Sequence, residues 1–299
     1  MSALPRHDTT GFVTPQAATA RRADPVAQSS DALVRVAVVG FGAIGKVLVD
    51  KLKGGAVPGI ALVAVASRDP AKAAHALRSV DPAIRAVALA DVPAIADIAI
   101  ECAPASALPD IARPMLAAGK KVMVLSVGAL LSHPDLIELA RERGGQIIVP
   151  TGALLGLDAV AAAAEGTIRS VRMKTVKPVK GLLGAPYLTE HGIDIAHIAE
   201  PTKVFEGSAR EAARGFPANL NVAVALSLAG IGPDRTMLEI WADPHLDRNT
   251  HHISVDADAA SFEMTIRNVP SDNPKTGRIT PLSVIAALRK LASPLRVGT

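Results

Sequence analysis

From residue 34 onward the apolar positions follow two rhythms that alternate along the chain. Residues 34–39 are a short apolar run that closes on Gly40, and Ile44, Val47, Leu48 and Leu52 then recur on one helical face. Strand, glycine turn and helix therefore follow one another without a gap. Further apolar runs at 61–66, 98–102, 121–125 and 146–149 read as strands. Between them lie helical stretches that begin at Pro70 and run through Ala74 and Leu77, then at 106–118 and 133–143, the last closed by Gly144-Gly145. This alternation predicts a doubly wound parallel sheet, an α/β domain spanning residues 33–150.

The pattern changes after residue 150. Residues 155–165 form an alanine-rich helix, and 168–176 alternate through Ile168, Val171, Met173 and Thr175 as a strand with one polar face does. A Gly- and Pro-rich stretch over 177–202 reads as loop. Ser208 and Glu211 have capping-box spacing before a short helix, and a longer helix follows over 217–228. Strands are predicted at 237–242, 251–255 and 262–269, then a last helix over 281–291 with Thr280 as its N-cap. Strands with no helices between them predict a second, smaller α+β domain over 151–299, an antiparallel sheet with helices on one face. Its last helix could pack back on the first domain. Residues 1–32 are polar, carry Arg21 and Arg22 and lack an apolar h-region. They are expected to be a disordered extension and not a secretory signal.

Composition narrows the function classes. Hydrophobic residues make up 49% of the 299 and aromatics only 2%, which suits close helix-on-sheet packing and not a stacking platform for nucleic acid. The net charge of +4 is spread out, with no basic block to form a nucleic-acid groove. No apolar run reaches the roughly 18 residues of a membrane span, so the chain is expected to be cytoplasmic, with neither membrane nor nucleic acid as partner. The single cysteine, Cys102, rules out an internal disulfide framework and reads as a buried, inert thiol. His, Asp and Glu do not cluster at ligand spacing, so no metal is expected.

Against that background the turn Gly40-Phe41-Gly42-Ala43-Ile44-Gly45 carries chemistry, because it joins a strand to a helix inside a strand–helix–strand unit. Gly40 permits the tight turn, Gly42 lets backbone approach a pyrophosphate, and Gly45 lets helix and strand pack closely. With Ala43 and Ile44 they open a helix whose N-terminus offers unpaired N–H groups to phosphates. This predicts a Rossmann domain holding NAD or NADP. The second strand ends in Ser67-Arg68-Asp69. Arg68 could pair with a 2′-phosphate, whereas Asp69 or the Ser67 hydroxyl could hold the ribose of NAD, and the two readings stay open.

Several strings in the second half share one resemblance. They are Thr151-Gly152-Ala153 with Gly156-Leu157-Asp158, Phe205-Glu206-Gly207-Ser208-Ala209-Arg210-Glu211-Ala212-Ala213, and Phe216-Pro217-Ala218-Asn219-Leu220-Asn221-Val222-Ala223. Ala242-Asp243-Pro244, Asn249-Thr250-His251 and Asn273-Pro274-Lys275-Thr276-Gly277 follow in order. Together they resemble the L-aspartate dehydrogenase family over nearly the whole chain from Val34. The resemblance implies a Rossmann domain with a smaller substrate and dimerisation domain, as a homodimer. It implies NAD(P)-dependent interconversion of L-aspartate and iminosuccinate, which hydrolyses to oxaloacetate and ammonia or feeds NAD biosynthesis. It also implies that the histidine two residues after an asparagine, here His251 after Asn249, acts on substrate. Leu154-Leu155 and the adjacent His252 depart from the pattern.

The chemistry asks for a base, and an imidazole with its ordinary pKa of about 6.5 suits that role. On a strand His251 and His252 point to opposite faces, and Asn249 shares the face of His251. His191 and His197 are expected at the surface. A dicarboxylate amino acid needs cations: Lys177 is the candidate, with Lys174 and Lys180 as rivals. Lys275 reads most plainly as part of a turn. Asn221 could meet the nicotinamide carboxamide, and Ala153 could lie beside the ring. A homoserine dehydrogenase or dihydrodipicolinate reductase type of reductase, or a non-catalytic dinucleotide-sensing regulator, are the alternatives.

Overall fold

The computed structural model describes residues 33–217, 220–271 and 277–299. The N-terminal extension, Ala218, Asn219 and the turn containing Lys275 lie outside the described residues.

The first lobe carries strands β1 (Val34–Val39), β2 (Ile60–Ala66), β3 (Arg85–Val87), β4 (Ile98–Glu101), β5 (Lys121–Val124) and β6 (Gln146–Ile148). All pair in parallel, in the order β3-β2-β1-β4-β5-β6. Between them run α1 (Ala43–Leu52), α2 (Pro70–Leu77), the short α3 (Val92–Ile95), α4 (Leu108–Ala117) and α5 (Asp135–Arg143). The residues of β1 explain the two layers. Val36 and Val38 face Leu48, Val49 and Leu52 of α1, while Ala37 and Val39 face the layer of Leu108, Ile111 and Met115 from α4. Alanines 37, 64, 66 and 99 line that second face, and their small side chains let a helix lie close to the strands. Strand order reverses between β1 and β4, which opens a crevice at their carboxyl ends, the usual ligand position in such sheets.

The second lobe contains α6 (Leu157–Ala164), β7 (Ile168–Pro178), α7 (Pro186–Glu190), β8 (Thr202–Ser208), α8 (Ala209–Gly215) and α9 (Asn221–Ala229). After these come β9 (Thr236–Asp243), β10 (Thr250–Ala257), β11 (Ser261–Arg267) and α10 (Ile279–Ala292). The sheet order is β11-β10-β7-β9-β8. It is mixed and not purely antiparallel, because β7 and β9 pair in parallel. The strand that makes this possible, β8, begins at the last residue of the stretch read as loop and was not predicted. Only Val204 and Phe205 are well buried in it, and a bulge between Lys203 and Phe205 breaks the period-two signal. The three-residue edge strand β3 likewise gives too short a pattern to read.

The capping box of Ser208 and Glu211 forms: Glu211 Oε2 accepts the Ser208 N–H at 2.7 Å, and Ser208 Oγ accepts the Glu211 N–H at 3.2 Å. Thr280 is not an N-cap. The last helix starts one residue before it, with Arg278 at the cap position, and the Thr280 carbonyl accepts the Ser283 hydroxyl from inside the first turn. That helix, α10, lies on the first lobe, where Val284 and Leu288 are fully buried with Leu48, Val49 and Leu52.

Candidate active site

The inward face of β7 runs Val171, Met173, Thr175, Lys177, and that of β10 runs Val255, Ile253, His251, by the two-residue alternation of strands. The antiparallel register sets His251 opposite Thr175. Apolar members of both rows pack under α6 and α9 in the lobe's core. The polar members at the strand ends emerge into a cavity of about 230 Å³. That cavity is lined by Lys177, Asn249, His251, Asn268, Ala153 and Asn221 from the second lobe and its approach, and by Ile44, Glu101 and Cys102 from the crevice of the first.

His251 is 2% exposed. Its Nδ1 lies 3.2 Å from Thr175 Oγ1. Burial first, then the charge of Lys177, push its pKa from 6.5 down to about 3, so the ring is neutral at neutral pH. Lys177 is 3% exposed, and burial pushes its ammonium from 10.5 down to about 8. Of the rival cations, Lys174 sits on the opposite face of the sheet, 4.1 Å from the centre of the Trp241 ring. Lys180 lines a small adjoining pocket with Asp247 and Arg248. His252 points to the outer face, where its Nδ1 meets Thr265 Oγ1 at 3.0 Å. His191 and His197 are exposed.

On the dinucleotide side, Gly40 adopts φ +101°, a conformation that side chains rarely take, and a Cβ there would lie 2.6 Å from the Cys102 carbonyl oxygen. A Cβ on Gly45 would come within 2.1 Å of the Gly40 carbonyl oxygen. Among the described residues nothing lies within 4 Å of the Cβ position of Gly42, and no side chain caps α1. An open cradle above uncapped helix N–H groups, flanked by Ala43 and Ile44, fits a pyrophosphate. Asn221 opens α9 and its Oδ1 accepts the Gly128 N–H at 3.0 Å, which ties it to the loop after β5.

Ser67 and Arg68 stand apart from this cavity, at the end of β2. The Asp69 carboxylate accepts the Lys72 N–H at 2.9 Å as the N-cap of α2, and Ser67 Oγ donates to the Asp69 carbonyl at 2.7 Å. Arg68 is exposed.

Two residues that pattern reading passed over face the same cavity. Glu101 ends β4 fully buried. Its carboxylate accepts N–H groups from Ala103, Leu125 and Ser126 and the Ser126 hydroxyl, at 2.8–3.1 Å. It thereby clamps the two loops at the carboxyl ends of β4 and β5, and burial raises its pKa. A charge closing an otherwise apolar strand, Ile98-Ala99-Ile100-Glu101, was the signal for it. The other is Asn268, 4% exposed, just past β11. Cys102 is half-buried at the cavity wall, and burial followed by Glu101 holds its thiol protonated. Among the described residues there is no group of three or more His, Cys, Asp or Glu side chains placed to hold a metal.

A histidine-bearing cavity opening onto the glycine turn of a 3-2-1-4-5-6 parallel sheet defines a two-lobed, dinucleotide-dependent oxidoreductase. Residues 40–150 match the family described as homoserine dehydrogenase, NAD binding domain, and residues 158–291 match aspartate dehydrogenase, C-terminal. L-aspartate dehydrogenase 3 of Bordetella bronchiseptica is 60% identical over 264 residues, covering 88% of this chain and 97% of that protein. L-aspartate dehydrogenase of Bradyrhizobium diazoefficiens is 55% identical over 272 residues, covering 91% and 96%. The chain belongs to the L-aspartate dehydrogenase family. Its fold is similar to that of the crystal structure of aspartate dehydrogenase from Thermotoga maritima, with a TM-score of 0.68 at 24% identity over 89% of this chain and 99% of that one.

Proposed function

We propose that the chain is an NAD(P)-dependent L-aspartate dehydrogenase, with His251 as base and Lys177 as the cation that holds a substrate carboxylate. The carrying observation is that both side chains, buried and adjacent on one sheet face, line a single cavity with Ile44 of the dinucleotide turn. A nicotinamide held by the glycine turn with Asn221 and Ala153 would supply the hydride acceptor for Cα, or the donor in reverse. L-aspartate and the oxidised cofactor give iminosuccinate, the reduced cofactor and a proton. Iminosuccinate then hydrolyses to oxaloacetate and ammonia or supplies NAD biosynthesis.

The chain's own residues shape the proton step. With the Thr175 hydroxyl accepting from Nδ1–H, the imidazole keeps its Nε2 lone pair for the substrate amine. Burial and, second to it, the charge of Lys177 depress the basicity of His251, and a substrate carboxylate paired with Lys177 would offset that second part. Substrate binding thus makes the base stronger at the moment it is needed. Asn249 borders His251 in the cavity and orients substrate. Asn221, with its Oδ1 engaged by Gly128, would offer Nδ2 to a nicotinamide carboxamide, and the small side chain of Ala153 would leave room for the ring. The test is steady-state turnover of L-aspartate by the purified protein with each cofactor, homoserine serving as control. Turnover is expected with L-aspartate and not with homoserine; its absence across amino acids would favour a dinucleotide sensor.

At the adenosine end Asp69 is engaged as the cap of α2, so Arg68 would be the residue to meet a 2′-phosphate and Ser67 the one to hold the ribose. Arg68→Ala is expected to lower kcat/KM with NADP by roughly 10- to 100-fold, the worth of a charge-assisted hydrogen bond, and to leave kcat/KM with NAD within a few-fold. An equal loss with both cofactors would remove Arg68 from this role.

The chain acts as a homodimer in this reading. The outer face of the mixed sheet carries Arg172, Lys174, Glu206, Glu239 and Glu263 around a groove, so a second copy can meet it with opposite charges. Sedimentation equilibrium reads the mass directly, and a monomer at micromolar concentration would refute it.

A further inference from the structure

Asn268 is held in one orientation by its neighbours. Its backbone N–H donates to the Asn249 carbonyl at 2.8 Å, continuing the β10–β11 ladder by one residue. Its side-chain Nδ2 donates to the Ala153 carbonyl at 2.9 Å. A carbonyl oxygen can only accept, so the amide cannot be flipped without facing oxygen against oxygen. Oδ1 is therefore committed to the other direction. It is buried, it has no hydrogen-bond partner among the described residues, and the residue lines the cavity beside His251, Lys177 and Asn249. Buried acceptors are almost always satisfied, so an unpartnered one on a residue that lines a ligand cavity points to a donor that arrives with the ligand.

The chemistry of the substrate picks out that donor. The two carboxylates of a dicarboxylate amino acid offer only acceptors at neutral pH, and its nitrogen is the group with hydrogens to give. We infer that Asn268 Oδ1 is the amine subsite: it accepts one N–H of the substrate nitrogen and leaves another for His251. The inference rests on the amino-acid dehydrogenase reading and adds a source of specificity to it. The imine formed by oxidation still carries N–H and satisfies Oδ1. The keto oxygen of the hydrolysed acid would set acceptor against acceptor. The site therefore discriminates the imine from the ketone through one amide oxygen, and Ala153, beside the nicotinamide, is fixed by the other end of the same side chain.

The experiment compares two ligands that differ at the nitrogen. Equilibrium dissociation constants for L-aspartate and for succinate, which has both carboxylates and no amine, are measured on the full chain with reduced cofactor bound. The unmodified protein is set beside Asn268→Ala and Asn268→Ser. Serine keeps a small polar side chain while extending no acceptor as far as Oδ1 reaches, so it reports on the subsite if the alanine variant folds poorly. The expected result is about tenfold or greater weakening for L-aspartate with succinate changed less than about threefold. Parallel weakening of both ligands would make Asn268 a structural brace for Ala153, and no change in either would mean that water satisfies Oδ1; each overturns the inference. Turnover of L-aspartate by the unmodified protein is scored separately. The split without turnover would sink the dehydrogenase reading and keep the subsite, and turnover without the split would do the reverse.

Discussion

His251→Ala is expected to lower kcat for L-aspartate by roughly a hundred- to ten-thousand-fold, the range of a lost general base, with the dinucleotide dissociation constant little changed. The separation follows from position. The imidazole hangs from β10 of the second lobe, on the face shared with Thr175 and Lys177, whereas the glycine turn belongs to the first lobe. Stopped-flow turnover and cofactor fluorescence titration check the two halves, and an equal loss of both would point to a folding defect. A second signature is thermodynamic. The ring's pKa is about 3 in the folded chain against an ordinary 6.5, so the unfolded chain binds more protons between those values. Stability from keeping the ring neutral is complete above about pH 6.5 and is lost as pH falls toward 3. His251→Ala should flatten that part of the melting temperature against pH profile.

Much of this site could be read from the chain because its signals are local. A strand, a glycine turn and a helix in sequence carry their own periodicities, so Gly40, Gly42 and Gly45 announce their geometry without tertiary knowledge. The alternation that put Thr175 and Lys177 on one face was likewise legible in β7. What tertiary pairing decides was not. The burial of Lys177 against the exposure of Lys174 and Lys180 depends on which face of the sheet α6 and α9 cover. The parallel pairing of β7 with β9 depends on β8, whose bulge hides its period. Asp69 read as a possible ribose ligand, and its use as the cap of α2, accepting the Lys72 N–H, showed only in the structure. Asn268 follows a strand with no motif around it, and its open oxygen exists only because Ala153, more than a hundred residues earlier, takes the other end of the amide.

Lys177→Met should separate binding from stability in opposite directions. A cation held at 3% exposure is a strong handle for a carboxylate, since its attraction is little screened by water. Its loss is expected to weaken succinate binding by roughly 10- to 100-fold at pH 7. The ammonium titrates near 8, so binding to the unmodified protein should weaken as pH rises through about 8, while succinate itself does not titrate there. The methionine variant should bind weakly at every pH, without that limb. Stability should move the other way. The folded chain favours the neutral amine, with a pKa of about 8 against 10.5, so below about 8 it bears the cost of a buried charge that the unfolded chain does not. Methionine keeps the aliphatic stem and removes the charge, so the variant should melt higher at pH 7. Its advantage should shrink as pH climbs from about 8 toward 10.5, where the native lysine is neutral in the fold as well. A variant that melts lower at pH 7 and binds succinate as before would show that Lys177 braces the strand and holds no substrate. Coupled opposite changes would mark a residue kept for binding at the expense of the fold.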